Sequence, residues 1–277
     1  LRDLKSRVGP FILRRLKTDK AIISDLPEKV ELSEWVGLSK EQKSLYAKTV
    51  EDTLDAIARA PRGKRHGQVL GLLTRLKQIC NHPALALKEK DASDDFLQRS
   101  VKLQRLEEIL EEVIEAGDRA LLFTQFAEWG TLLQEYLQRR WRSEVPFLSG
   151  STSKTERQAM VDRFQEDPRG PQLFLLSLKA GGVGLNLTRA SHVFHIDRWW
   201  NPAVENQATD RAYRIGQTNR VMVHKFITSG SVEEKIDRMI REKSRLAEDI
   251  VGSGEEWLGG LEMGQLKELV SLEDNPS

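Results

Sequence analysis

Apolar residues recur along this chain in two rhythms, and the change of rhythm divides it. Leu45, Thr49, Thr53 and Ile57 fall four apart, the spacing of one helical face. Ser39 followed by Gln42 supplies a capping box for the start of that helix. Pro61-Arg62-Gly63 breaks it, and a second helix with Val69, Leu72, Leu73, Leu76 and Ile79 stops at Asn81-His82-Pro83. The polar stretch from Lys88 to Asp95 predicts a loop. A third helix carries Leu103, Leu106, Leu110 and Val113 and ends at Gly117, a residue type suited to helix C-termini.

Beyond Gly117 the pattern shifts to short apolar runs, which predict strands at 120–123, 145–148, 173–176, 192–196 and 221–227. Between them lie helical stretches: one at 132–141, one opened by Ser153 with Glu156, and one beginning at Pro202, the favoured first position of a helix. Strands apolar on both faces, alternating with helices, imply an α/β fold with a parallel sheet between helical layers. Ligands of such sheets bind beyond the carboxyl ends of the strands. Ser231-Val232-Glu233-Glu234 caps a last long helix that reads as charged and exposed on one face, and residues 261–272 predict one more short helix. Residues 1–38 read as an irregular or partly helical connector, because Leu26-Pro27-Glu28 interrupts any helix there. So abrupt a beginning is the expected look of a piece of a longer protein.

Composition narrows the classes. The 277 residues are 39% hydrophobic and 31% charged, enough for a large core and a soluble surface. The single cysteine, Cys80, excludes an internal disulfide framework and a zinc site built on paired cysteines. With no apolar run near the roughly 20 residues of a membrane span and no signal peptide at Leu1-Arg2-Asp3-Leu4, a cytoplasmic, nucleoid-associated location and no membrane partner are expected. Net charge is only +1, but Arg2, Lys5, Arg7, Arg14, Arg15, Lys17 and Lys20 crowd one end, and Arg62, Lys64 and Arg65 form a second cluster. Such patches either track phosphates or are solvated faces.

Two segments carry candidate chemistry. Residues 177–187 place Gly181, Gly182 and Gly184 just after a strand, where a backbone can approach a phosphate closely or simply turn. The third glycine of a dinucleotide fingerprint is replaced by Leu187, which weakens a dehydrogenase reading. Gly150-Ser151-Thr152-Ser153-Lys154-Thr155 lacks the glycine-lysine-hydroxyl ending of a phosphate loop, and the sequence holds that pattern nowhere. It also shows no Asp-Glu pair after a strand to hold magnesium, so no metal site is expected. The densest segment runs from Asp197 to Gln217. On a helix begun at Pro202, Gln207, Asp210, Arg211 and Arg214 would share one face. Two guanidinium groups there suit an anion; an ordinary ion-pair ladder is the alternative.

The same blocks resemble the Swi/Snf family of superfamily two helicase-like ATPases, in its bacterial and archaeal form. Gln207-Ala208, Asp210-Arg211-Ala212 and Arg214-Ile215-Gly216-Gln217 resemble motif VI. Residues 177–187 resemble motif V, and Leu121-Leu122-Phe123-Thr124-Gln125-Phe126 resembles motif IV. Leu148-Ser149-Gly150-Ser151-Thr152, Phe11-Ile12-Leu13-Arg14-Arg15, Ile79-Cys80-Asn81-His82-Pro83 and Glu233-Glu234-Lys235-Ile236 fit further family segments. The resemblance implies a RecA-like lobe at 101–228, reached through a connector at 1–38, with a helical insertion at 39–100 and a helical brace at 229–277. It implies the second motor lobe of a double-stranded DNA translocase, with ATP and Mg2+ held mainly by a first lobe. Arg214, Arg211 and Gln207 would then serve catalysis, and Gly182, Gly184 and Asp210 would lie near the nucleotide. Lys179, Ser151, Thr152 and Trp200 would meet DNA without sequence preference. The implied partners are duplex DNA, the first lobe and a DNA-bound protein. Trp199 is expected to pack in the core, while for Trp200 packing and DNA contact stay equally open. A non-catalytic DNA-binding or scaffolding module is the rival.

Overall fold

The computed structural model describes residues 26–178, 185–246 and 261–273. A parallel six-stranded sheet organises them, in the order β1-β6-β5-β2-β4-β3. The strands are β1 (Lys29–Val36), β2 (Ala120–Thr124), β3 (Phe147–Leu148), β4 (Leu173–Ser177), β5 (His192–His195) and β6 (Val221–Thr228). The helices are α1 (Lys40–Arg59), α2 (Arg62–Asn81), α3 (Pro83–Leu87), α4 (Val101–Glu115), α5 (Ala127–Trp141), α6 (Lys154–Glu166), α7 (Pro202–Thr209), α8 (Val232–Leu246) and α9 (Met263–Val270). The five apolar runs are the five inner and far-edge strands, so the α/β, RecA-like reading with helices on both faces holds.

The two faces of the sheet follow from the period of two along each strand. Ala120, Leu122, Leu173 and Leu175 point to one side, where α4 and α5 cover them with Leu106, Leu110, Leu133 and Leu137. Leu121, Phe123, Phe174 and Leu176 point to the other, where α6 and α7 supply Val161, Phe164 and Ala208. Gly130 of α5 lets the Phe147 ring of β3 lie against the helix backbone; a Cβ there would overlap the ring. A third core joins distant stretches of chain. Tyr46, Ile57, Leu72, Leu76 and Ile79 of α1 and α2 pack with Val232, Ile236, Leu266 and Leu269 of α8 and α9.

Within the stretch up to residue 38, the reading of 29–36 needs correction; residues 1–25 lie outside the described residues. β1 is a strand of the sheet, paired in register with β6 from Lys29 opposite Val221 to Val36 opposite Thr228. Its acidic side chains find partners across the sheet edge: Glu31 pairs with Lys225 at 2.5 Å and Glu34 hydrogen-bonds the His224 ring at 3.0 Å. Pro27 precedes the strand, where a missing N–H costs nothing. The capping boxes at Ser39 and Ser153 form as expected. The long C-terminal helix forms too, but Glu233 in its first turn is buried rather than solvated.

One local feature sets a pH response. The buried His82 ring accepts from the Ala84 N–H at 3.0 Å and donates to the Phe96 carbonyl at 2.7 Å, which fixes the neutral form. Burial pulls its pKa down to about 4, and burial does the same for His195. An unfolded histidine titrates near 6.5, so below that pH the unfolded chain takes up protons that the fold refuses. Stability should therefore be fully present above about pH 6.5 and fall by roughly 3 kcal/mol per histidine as pH drops towards 4. Urea unfolding across that window measures it; a flat profile would contradict the assignment.

Candidate functional site

The carboxyl ends of β2, β3, β4 and β5 face one way, and the segments after them hold most of the expected site residues. The sequence after β5 is anchored by Asp197, which is buried at the strand's end. Its carboxylate accepts from Asn81 Nδ2 at 3.0 Å, Thr124 Oγ1 at 2.6 Å, the Gln125 N–H at 3.0 Å and Gln125 Nε2 at 2.9 Å. One carboxylate thus fixes the turn after β2, the turn after β5 and the end of α2. Gln125 passes the link on, accepting from the Lys77 ammonium at 3.2 Å. That ammonium also lies over the Trp200 ring at 4.8 Å and the Trp199 ring at 6.0 Å, close enough for cation–π attraction.

Arg198 carries the next link. Its Nε donates to Glu205 at 2.9 Å and its guanidinium also pairs with Asp237 of α8. Burial opposes ionisation of Glu205, but Arg198 beside it holds the carboxyl below its usual range. Glu205 also accepts from the Trp199 N–H at 2.9 Å. The first turn of α7 is therefore clamped to the sheet on one side and to α8 on the other.

The motif around the two arginines departs from expectation. Helix α7 starts at Pro202 as predicted, capped by Asn201, but it ends at Thr209. From Asp210 the chain tightens into turns: the Arg211 N–H bonds Ala208 O, the Ala212 N–H bonds Thr209 O and the Gln217 N–H bonds Arg214 O. Thr209 ties to the sheet through His195 at 2.8 Å, and Ala212 sinks into the apolar layer beside Ala208. Those anchors bend the backbone off the helical path. Gln207, Asp210, Arg211 and Arg214 consequently do not share one helical face. Arg211 is 7% exposed, whereas Arg214 and Gln207 are exposed and Asp210, the residue capping the helix end, is half-buried.

Electrostatics still joins the two arginines. Burial and the nearby Arg214 both lower the Arg211 pKa, with Asp210 opposing them. A buried cation next to a second cation favours an anion brought up to both. Among the described residues, no carboxylate forms a salt bridge with Arg214. Arg211 also bears on the glycine-rich segment, since its carbonyl accepts from the Leu187 N–H at 3.0 Å.

The remaining expected residues divide. Ser151 is exposed in the turn after β3, bonded to Ser149 Oγ at 2.8 Å. Thr152 Oγ1 accepts from the Ser149 N–H at 3.0 Å, a bond that does not consume its hydroxyl proton. Trp200 is half-buried against the core shared by α1, α2, α8 and α9, and Trp199 is half-buried too, less enclosed than a core residue. Lys179, Gly182 and Gly184 lie outside the described residues. Sequence reasoning overlooked Lys77 and gave no role to Asp197, Gln125 and Gln217, although they lie in its candidate segments; the position of Asp197 at a strand's carboxyl end was the available signal.

Among the described residues no group of three or more histidine, cysteine or acidic side chains could hold a metal ion, and no helix is long and apolar enough to cross a membrane.

Comparison with known proteins places this architecture. Residues 101–216 match the helicase conserved C-terminal domain and residues 1–85 match the SNF2-related domain. YwqA of Bacillus subtilis (strain 168), which carries the name ATP-dependent helicase/translocase, is 48% identical over 270 residues, covering 98% of this chain and 29% of that protein. The chain thus spans under a third of the curated relatives it matches. The Sulfolobus solfataricus SWI2/SNF2 ATPase core in complex with dsDNA superposes with a TM-score of 0.78 at 43% identity, over 98% of this chain and 56% of that one. The SWI2/SNF2 ATPase C-terminal domain from the same organism gives 0.75 at 39% identity, over 89% of this chain and all 100% of that one. This chain therefore belongs to the SWI2/SNF2 family of helicase-like ATPases and has the fold of that family's C-terminal domain.

Proposed function

We propose that this chain is the second motor lobe of an ATP-dependent double-stranded DNA translocase, completing a nucleotide site whose phosphate cradle sits on a facing first lobe. The observation that carries the reading is the exposed Arg214 guanidinium beside the buried, electrostatically disfavoured Arg211 cation, in a sequence without a phosphate loop. The family implies ATP and Mg2+. The described residues do not fit Mg2+, having no cluster of metal ligands. They do fit a polyphosphate: a guanidinium offers fixed, multidentate donors to phosphate oxygens. ATP supplies the phosphoanhydride bond to be cleaved. In the proposed cycle, Arg214 and Arg211 stabilise charge developing on the transferring group, while Gln207 orients the arginines or water and Asp210 tempers the cationic pair. Gly182 and Gly184 keep their proposed place near the nucleotide.

The duplex would cross the loops after β3, β4 and β5. Ser151, the Thr152 hydroxyl and Lys179 would meet backbone phosphates, and Trp200 would approach the groove. Contacts of this kind position a protein without reading sequence. The likeness to a core bound to dsDNA supports this part. The motor would work in the cytoplasm at the nucleoid, on a DNA-bound protein. In domain terms, the stretch before β1 would lead from the first lobe, and 101–228 together with the edge strand β1 would form the second. Residues 39–100 and 229–277 would brace it through their common core.

The test is reconstitution. The isolated chain should show background ATP turnover with or without duplex DNA, and the same chain joined to its first lobe should show DNA-stimulated turnover. DNA-stimulated hydrolysis by the isolated chain would overturn the divided site. Failure of the joined protein to hydrolyse ATP would favour the scaffolding module instead.

A further inference from the structure

Gln217 closes the turn that carries Arg214, and it does so with its whole side chain. It is 3% exposed. Its Nε2 donates to the Ala190 carbonyl at 2.9 Å and the Ala212 carbonyl at 3.1 Å, and its Oε1 accepts from the Asn219 N–H at 2.8 Å. Its backbone N–H donates to Arg214 O at 2.9 Å. The amide therefore sits at the mouth of the turn, with Arg214, Ile215 and Gly216 exposed beyond it and Ile215 at 74%. Gly216 has φ of +97°, where a side chain would be strained.

The bonds reach past the turn. Ala190 donates its own N–H to Leu187 O, and Leu187 donates to Arg211 O. One buried amide thus joins both ends of the arginine segment to the stretch leading into β5. The group required is narrow: two N–H donors for two carbonyls, plus one acceptor, in a single planar unit. A carboxylate would face both carbonyls with acceptors, and an apolar side chain would take away the Ala190 carbonyl's donor and leave the Ala212 carbonyl only the Arg214 N–H at 3.2 Å, which destabilises the site.

We propose that Gln217 is a positioning residue for catalysis, holding the turn so that the Arg214 guanidinium is presented in one place. This rests on the proposed role of Arg214. Misplacement of a charged group by about 1 Å can cost roughly 100-fold in rate, because the cation then meets the developing charge in only a fraction of encounters. The amide acts on orientation, so the loss should fall on kcat, with KM for ATP little changed.

The experiment uses the full two-lobe protein with four variants: Gln217→Met, Gln217→Glu, Arg214→Ala, and Gln217→Met combined with Arg214→Ala. DNA-stimulated kcat, KM for ATP and the thermal midpoint are measured for each. Gln217→Met should lower kcat roughly 100-fold per folded molecule and add nothing in the Arg214→Ala background. Gln217→Glu, which keeps the bond to Asn219, should show the same pattern and stands in if the methionine variant does not fold. An unchanged kcat per folded molecule would overturn the proposal, leaving Gln217 a purely structural residue. An equal fold-loss in both backgrounds would overturn it too, placing its effect elsewhere. Normal turnover by Arg214→Ala alone would sink the arginine reading itself, a result distinct from either.

Discussion

Replacing Arg214 by alanine in the two-lobe protein should lower DNA-stimulated ATP turnover about 10³- to 10⁵-fold while ATP still binds. The magnitude follows from what a fixed cation does for a phosphoryl group whose charge shifts during transfer. A guanidinium presented from a preformed turn needs no reorganisation when that charge develops. Ground-state binding should survive because the cradle for the phosphates lies on the other lobe. A lysine at the same position should recover little, since it offers a point charge on a flexible stem in place of a planar fork. Arg211 is expected to behave differently. Its side chain is largely buried, so truncation removes packed stem atoms, and Arg211→Ala should reduce stability together with turnover. Turnover and nucleotide binding, measured side by side, separate the outcomes. Loss of ATP binding in Arg214→Ala would assign that residue to the binding step.

The fold was largely legible because its inner strands are apolar on both faces. Leu121-Leu122-Phe123 and Phe174-Leu175-Leu176 admit few other readings. β1 escaped because it is an edge strand. Glu31, Ser33 and Glu34 break its apolar pattern, and their partners Lys225, Arg241 and His224 lie some 190 to 208 positions away in the chain. The end of α7 escaped for a related reason. The spacing of Gln207, Asp210, Arg211 and Arg214 is compatible with a helix, and nothing local says that Thr209 will bond His195 or that Gln217 will bond Ala190. The identities of the arginines were readable; which of them would be exposed depended on contacts that sequence spacing does not contain. Asp197 shows the same limit. Its four hydrogen bonds come from two separate stretches of chain, at Asn81 and at Thr124-Gln125, so its role exists only in the fold.

Lys102→Met should be the most damaging single change to stability, at about 3–5 kcal/mol, or a fall in melting midpoint of roughly 10 °C. Lys102 and Glu233 form a buried ion pair at 2.8 Å, with side chains 1% and 0% exposed. The ammonium donates to both Glu233 oxygens and to Asn81 Oδ1 at 3.0 Å, and Asn81 in turn donates to Asp197. Glu233 also accepts from the Thr228 N–H at the end of β6. Removing the cation leaves a carboxylate buried among groups that cannot tolerate it. The Cys80 thiol is already pushed up to about 12 by burial and then by Glu233, and the Tyr46 hydroxyl is raised well above its usual range by burial, with Cys80 and Glu233 adding to it. The pair itself need not be strongly stabilising, because taking two charges out of water nearly offsets their attraction. That asymmetry gives the test. Adding Glu233→Gln to Lys102→Met should recover much of the loss, measured by urea unfolding of the single and double variants. Equal destabilisation in both would show that packing of the lysine stem, rather than the stranded carboxylate, sets the cost. The chain Glu233–Lys102–Asn81–Asp197–Gln125 runs from α8 through α4 and α2 to the turn after β2. Its loss should therefore loosen the carboxyl edge of the sheet together with the helices packed beside it, and turnover should decline even in the folded fraction.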